Sequence, residues 1–203
     1  AWLRERYAAD PRELRTAWGR EEAGFDTAEV PPAQRQLAAT LHTFRDGRRE
    51  RDVVDWYRCL ADLCAELVVG FCAVVERATG GTALAGAFYG YLMELAWNAG
   101  FFGEGVESPY STYQRSGHLG LARVLSSPEV DFLVSPYSYG FRGLGGHGPT
   151  MIPSESARLH GKLVVVEDDT RTRLSAHDHP NYGKTDDPIH TAAILKRNFA
   201  CAL

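Results

Sequence analysis

Three short apolar segments alternate with helical segments along this chain, and this alternation constrains the fold more than any other feature. The apolar segments are ALAGAFYGYL (83–92), VDFLVS (130–135) and LVVVE (163–167). They carry few charges, and LVVVE contains three consecutive valines, which favour an extended backbone. The sequence therefore predicts three buried β-strands.

The remaining segments carry helix signals. Residues 2–18 predict two short helices, because Asp10 can cap a helix whose first residue is Pro11 and Gly19 can end it. From about Asp52 to Ala78, apolar residues recur at three- and four-residue steps, which indicates a long amphipathic helix. Further helices are predicted at 117–127, 153–161 and 187–203. Residues 20–50 are predicted to form a long polar surface segment, of the kind that often carries function.

Uniformly apolar strands between helices indicate parallel pairing in an α/β fold, with helices covering both faces of the sheet. The carboxyl ends of parallel strands meet at one edge, where α/β enzymes place their active sites. Each predicted strand here leads into a segment rich in tyrosine, glycine, serine and acidic residues. Aromatic rings beside carboxylates and hydroxyls suit sugars, so the sequence predicts a carbohydrate as the partner.

Glu167 is the first candidate for a catalytic residue. Packing explains it poorly, because a carboxylate at the end of a valine-rich strand opposes both β-propensity and burial. The structural alternative is an ion pair with Arg171 or Arg173. Asp168 and Asp169 follow directly, and three adjacent acids raise one another's pKa values unless a cation or hydrogen-bond donors balance them. We expect Arg171 to provide that balance.

Four further residues complete the predicted site as substrate-binding residues, namely Tyr137, Tyr139, Asp168 and Arg171. Asp168 and Asp169 are expected to orient the substrate and contact its hydroxyl groups, with a metal pair as the alternative. Tyr137 and Tyr139 follow the second strand, and one of them could donate a hydrogen bond to the nucleophile while the other packs within the loop. The chain contains no GxSxG nucleophile motif and no phosphate-binding loop in its required context.

Composition excludes several classes of function. The net charge of −4 and the scattered basic residues argue against a nucleic-acid partner. No apolar run approaches the roughly 20 residues that a membrane span needs, and AWLRERYAAD does not resemble a signal peptide, so we expect a cytoplasmic location. The spacing of the four cysteines predicts reduced core residues, with a zinc site as the alternative (Cys59, Cys64, Cys72 and Cys201).

The order of these segments resembles glycoside hydrolase family 42, a family of β-galactosidase-like enzymes. WLRERYAADPRELRTAWG resembles the segment that follows strand 4 of that family. GAFYGY, VDFLVSPYSY and GKLVVVEDDTRT resemble strands 5, 6 and 7, and TAAILKRNFACAL resembles the helix before strand 8. The resemblance implies a partial (β/α)8 TIM barrel, in which residues 1–203 form the C-terminal part of the catalytic domain, and a homotrimer as a possible assembly.

The resemblance also implies a retaining mechanism on a β-galactoside-type substrate, with Glu167 as nucleophile, Tyr137 or Tyr139 as its hydrogen-bond donor, and no metal or organic cofactor. The family's acid/base is a glutamate after an asparagine on strand 4, and no Asn-Glu pair occurs here. Glu94 and Glu104 resemble residues of a loop that does not supply the acid. We therefore expect a fragment that is inactive and poorly folded alone, with a non-catalytic carbohydrate-binding or assembly protein as the alternative.

Overall fold

The structure is a computed structural model that describes residues 1–38, 40–41, 44–95, 109–175 and 183–202. Within these ranges the strands are β1 (Gly86–Phe88), β2 (Phe132–Pro136) and β3 (Leu163–Glu167). A 3₁₀ helix, His118–Gly120, precedes α7. The α-helices are α1 (Trp2–Arg6), α2 (Pro11–Trp18), α3 (Ala33–Leu37), α4 (Arg51–Thr79), α5 (Leu92–Leu95), α6 (Pro109–Arg115), α7 (Leu121–Ser126), α8 (Ser154–Leu159) and α9 (Pro188–Ala202).

The local signals for the helix ends are confirmed. The side chain of Asp10 accepts a hydrogen bond of 2.8 Å from the backbone amide of Arg12, and α2 ends at Gly19. The long helix α4 ends at Gly80, whose φ of +62° lies in the left-handed region that a residue with a Cβ atom adopts only at a cost.

The three strands pair as predicted, in parallel and in the order β1-β2-β3. Phe88 pairs with Val134, and Val134 pairs with Val165. The register brings Pro136 opposite Glu167 at the end of the pairing. The three strands therefore end along one side of the sheet, which we call the carboxyl edge.

Only one face of this sheet is covered by the described helices. Leu133 and Val164 pack in a common core with Ala65 of α4, Leu121 of α7 and Ala157 of α8. Successive side chains of a strand point to opposite faces, and the opposite face remains exposed. Three large apolar side chains of that face are 52%, 55% and 44% exposed (Phe88, Leu163 and Val165, respectively), whereas Val134 between them is buried.

The expectation of a partial (β/α)8 TIM barrel is therefore wrong. The described residues form nine α-helices around a small, open sheet of three strands. A barrel requires its sheet to close on itself, whereas β1 and β3 each have one unpaired side among the described residues. The expected coverage of both faces fails as well, because α4, α7 and α8 all pack on the same side.

Helix α4 packs through small residues. A Cβ atom on Gly120 would lie 2.6 Å from the carbonyl oxygen of Ala61 and 2.7 Å from the Cβ of Ala65, so only glycine permits this contact. Four large apolar residues of α4 are at least half exposed (Leu63, Leu67, Phe71 and Val74). Although α4 has 29 residues, no described helix is both long and apolar enough to cross a membrane.

The N-terminal unit, residues 1–38, is fixed to the start of α4 by buried carboxylates. Asp55 is 1% exposed and accepts hydrogen bonds from the hydroxyl of Tyr7 at 2.5 Å and from the indole of Trp18 at 3.0 Å. It also forms ion pairs with Arg6 at 3.1 Å and Arg51 at 3.2 Å. Because four donors converge on one buried carboxylate, this residue joins α1, α2 and α4.

Replacing Asp55 by alanine should destabilise the protein strongly. The substitution leaves two guanidinium groups and a buried hydroxyl without their acceptor, which typically costs about 3 kcal/mol or more. Chemical denaturation should show a correspondingly lower free energy of unfolding. Asp26→Ala is the control, because Asp26 pairs with Arg4 in an ion pair whose aspartate side chain is 87% exposed, and such pairs contribute little. Equal effects of the two substitutions would contradict the role assigned to Asp55.

Candidate functional site

Polar side chains from all three strand ends gather at the carboxyl edge. Tyr91 follows β1, Tyr139 and Arg142 follow β2, and Glu167 ends β3. This is the edge at which the sequence predicted a site. The residues fall into a hydrogen-bonded part, built around the buried Arg142, and an exposed part.

The hydrogen-bonded part is the edge network, formed by Tyr139, Arg142 and Asp169. Arg142 is fully buried, and its Nη1 donates to Asp169 Oδ1 at 2.5 Å. The hydroxyl of Tyr139 donates to the other oxygen of Asp169 at 2.7 Å, and the guanidinium carbon of Arg142 lies 3.8 Å from the Tyr139 ring centre. Burial and then the hydrogen bond to Asp169 raise the pKa of Tyr139 to about 12. The carboxylate that follows β3 is thereby joined to the loop that follows β2.

Helix α9 provides the hydrogen-bond partner of Asp168. The side-chain amide of Asn198, which is fully buried, lies 3.1 Å from both oxygens of Asp168 and 2.8 Å from Thr170 Oγ1. The hydroxyl of Tyr137 donates to the backbone carbonyl of Asn198 at 2.5 Å. Arg197 extends this contact by donating to the Asn198 side chain and to the carbonyls of the loop at 142–146. Helix α9 therefore fixes the segments that follow β2 and β3.

Glu167 differs from the two acids that follow it. Its side chain is exposed, and it forms no hydrogen bond or ion pair with the residues that the structure describes. Tyr91 lies close enough for its ionisation to depend on Glu167, because burial and then the negative charge of Glu167 raise the pKa of the Tyr91 hydroxyl. Glu167 thus combines an accessible carboxylate with a neighbouring tyrosine that stays protonated.

His118 positions the end of β1. Its Nδ1 accepts hydrogen bonds from the backbone amides of Gly90 at 2.9 Å and Tyr91 at 3.0 Å. Its ring is stacked on Tyr89 and tilted against Tyr91, with 5.0 Å between ring centres in both cases. Burial lowers the pKa of His118 to about 4. The ring is therefore neutral near pH 7, as its role as an acceptor requires.

The structure brings together most of the predicted site residues, but with other partners. Arg142, not the expected Arg171, forms the ion pair with Asp169. The Tyr137 hydroxyl binds Asn198, so this tyrosine is not the donor to Glu167. The alternative of a structural ion pair between Glu167 and Arg171 or Arg173 is not formed.

Arg171 itself is half-buried beside the edge, and Glu104 lies outside the described residues. Sequence reasoning missed Tyr91, His118, Arg142 and Asn198. Of these, only Tyr91 had a signal, as one of the aromatic residues that follow the first strand.

The site offers little support for a bound metal. Within the described ranges, no group of three or more histidine, cysteine, aspartate or glutamate side chains could hold a metal ion. Asp168 and Asp169, the pair considered for a metal, already accept hydrogen bonds from Asn198 and Arg142. The four cysteines are unbonded to one another.

The role of His118 predicts a pH dependence of stability. A depressed pKa means that the unfolded chain binds the proton more tightly, so His118 stabilises the fold fully above about pH 6.5. This contribution should be lost as the pH falls towards 4. Asparagine can place an acceptor near the position of Nδ1 without titrating, so His118→Asn should show a smaller decrease in the free energy of unfolding between pH 6.5 and 4. His160→Asn, at an exposed position, is the control and should retain the wild-type profile. Identical profiles for His118→Asn and the wild type would contradict this role.

Comparisons of this chain with protein-family models, with curated proteins and with solved structures find no match. The geometry of the carboxyl edge and the chemistry of its side chains therefore indicate what the protein can do.

Proposed function

We propose that the carboxyl edge binds a glycoside and that Glu167 is the nucleophile of a retaining glycoside hydrolase that acts on a β-galactoside-type substrate. One observation carries the proposal. Of three consecutive acids, Asp168 and Asp169 are held by Asn198 and Arg142, whereas Glu167 is exposed and unbonded among the described residues. A nucleophile must be accessible and ionised, and Glu167 meets the first condition.

In the proposed reaction, a carboxylate oxygen of Glu167 attacks the anomeric carbon of the sugar. The bond from that carbon to the leaving oxygen breaks, and a general acid supplies the proton to the leaving group. Water then attacks the same carbon, gives up its proton to the acid's conjugate base and releases Glu167 as a carboxylate. The two inversions retain the configuration of the sugar.

The edge network supports this chemistry by fixing what surrounds the nucleophile. Arg142 neutralises the charge of Asp169 and so reduces the repulsion that a third carboxylate would impose on Glu167. Tyr91, whose hydroxyl stays protonated, adds no further negative charge beside Glu167. The hydrogen bonds of Asp169 and Asp168 keep the end of β3 in one position, as attack at a defined distance requires.

A second carboxyl group must act as the acid, at about 5–5.5 Å from the first in retaining enzymes. We assign this role to none of the described residues. Asp168 and Asp169 are already bonded, and Glu94 is fully buried on α5. The second candidate function is therefore that of a protein that binds carbohydrate at the same edge without hydrolysing it.

Substitution of Glu167 in the full-length protein tests the assignment. Glu167→Gln should lower the turnover of an aryl β-galactoside by at least about a thousandfold, because loss of a nucleophile removes a step that the remaining groups cannot replace. Azide should restore part of the activity of Glu167→Ala, since it can enter the space of the missing carboxylate, and the product should be a galactosyl azide of inverted configuration. A 2-fluoro galactoside that traps the covalent intermediate should label the peptide that contains Glu167.

Glu155→Gln is the matched control, because Glu155 is an exposed glutamate on α8. It should leave turnover unchanged. Wild-type turnover by Glu167→Gln would refute the nucleophile. Saturable binding of galactosides by a wild type that shows no turnover would favour the second function.

We also propose a cytoplasmic location. Cys59, Cys64, Cys72 and Cys201 form no disulfide, and unbonded cysteines are typical of proteins that remain in a reducing compartment.

A further inference from the structure

The long polar excursion that follows α2 helps to build a pocket that the proposed reaction does not use. Three of the four tryptophans of the chain line it, together with one phenylalanine (Trp2, Trp18, Trp56 and Phe25). We call it the tryptophan pocket. Its volume is about 250 Å³, slightly below the roughly 300–1,000 Å³ of drug-sized ligand sites, so it suits one small ring.

The pocket lies at the same end of the molecule as the carboxyl edge. Cys72 of α4 is near Asp131, just before β2, whereas Ala61 and Ala65 lie beside Gly120 and the Tyr89 hydroxyl, just after β1. Helix α4 therefore runs opposite to the strands. The pocket residues of α4 lie still closer to its start, and at 1.5 Å per residue Asp52 is about 13 Å beyond Ala61. The pocket thus lies beyond the carboxyl ends of the strands, the end of the sheet at which Glu167 lies.

The aromatic rings of the pocket are held in place by hydrogen bonds. The indole nitrogen of Trp2 donates to Asp62 at 2.7 Å, and that of Trp18 donates to the buried Asp55 at 3.0 Å. Trp56 is half-buried, and its indole nitrogen donates no hydrogen bond to any residue that the structure describes. The pocket therefore combines fixed aromatic faces with one donor available for a ligand.

The buried acids that line the pocket are paired, which disfavours a cationic ligand there, and the remaining acid of the lining, Glu29, is exposed. Asp52 pairs with Arg20 at 3.0 Å and with Arg35 at 2.7 Å, and Asp55 is likewise paired. Cations of the chain already lie over two of the rings, since Arg6 is 5.3 Å from the ring centre of Trp2 and Arg4 is 5.1 Å from that of Phe25. A cationic ligand would have to displace these contacts.

We infer that the tryptophan pocket binds one pyranose unit of an oligosaccharide substrate. The C–H groups of a pyranose face carry partial positive charge and pack on the electron-rich faces of indole rings, while its hydroxyls can accept from Trp56 and reach the charged groups at the rim. This inference rests on the proposed function. It extends that function by assigning an oligosaccharide as the substrate in place of a single sugar.

The test uses the full-length protein carrying Glu167→Gln, so that oligosaccharide binding is measured without turnover. β-1,4-Galactotetraose and cellotetraose are the two probes, and calorimetry and tryptophan fluorescence are the readouts. At least one tetraose should bind and change the fluorescence. Adding Trp56→Ala should weaken that binding at least tenfold, and adding Trp56→Phe, which keeps an aromatic face, should retain most of it. Adding Phe71→Ala, an exposed side chain on α4, is the control and should change neither readout.

Failure of this inference is distinguishable from failure of the proposed function. Turnover by Glu167→Gln would refute the nucleophile and leave the pocket test intact, with affinities then measured before hydrolysis proceeds. An affinity that is the same in Trp56→Ala, Trp56→Phe and the parent would overturn the pocket. Absence of binding by both tetraoses would overturn it as well.

Discussion

The contact between the 3₁₀ helix and the small side chains of α4 determines how the other parts of this protein meet. Gly120 lies against Ala61 and Ala65, closer than any residue with a side chain could. The two elements that meet at this contact each hold another part of the protein. The 3₁₀ helix carries His118, which binds the end of β1, and the start of α4 carries the carboxylates that hold the N-terminal unit. A packing contact between backbones thereby connects the strand ends to the tryptophan pocket.

The start of α4 shows how an N-terminal unit with little apolar core can be fixed in place. Its apolar cluster contains only three buried residues. Buried ion pairs compensate for this small apolar core. Glu50, which precedes α4, and Asp52 and Asp55 of α4 are buried, and each is paired with at least one arginine. A buried charge is costly unless it is paired and hydrogen-bonded. The arginines paired with these acids therefore serve tertiary contacts.

The sequence was informative where structure depends on near neighbours. The capping of α2 by Asp10, the end of α4 at Gly80 and the positions of the three strands all follow from residues within one or two turns. The partners of the site were not predictable in this way. Arg142 and Asp169 are 27 residues apart, and Tyr137 and Asn198 are 61 apart. The nearby Arg171 was the reasonable expectation, and only the packing of the loop after β2 decides against it.

The same distinction explains why the fold class failed while the site remains a candidate. A barrel needs further strands that close the sheet and helices that cover it. An apolar strand pattern does not indicate which face of the sheet is covered. The position of Glu167 depends only on where β3 ends and on parallel pairing, and both are confirmed. A nucleophile needs accessibility, a fixed backbone and neighbours whose charges are already balanced. The edge network and Asn198 hold the backbone after β3, and Arg142 balances the charge of Asp169, while the carboxylate of Glu167 stays exposed.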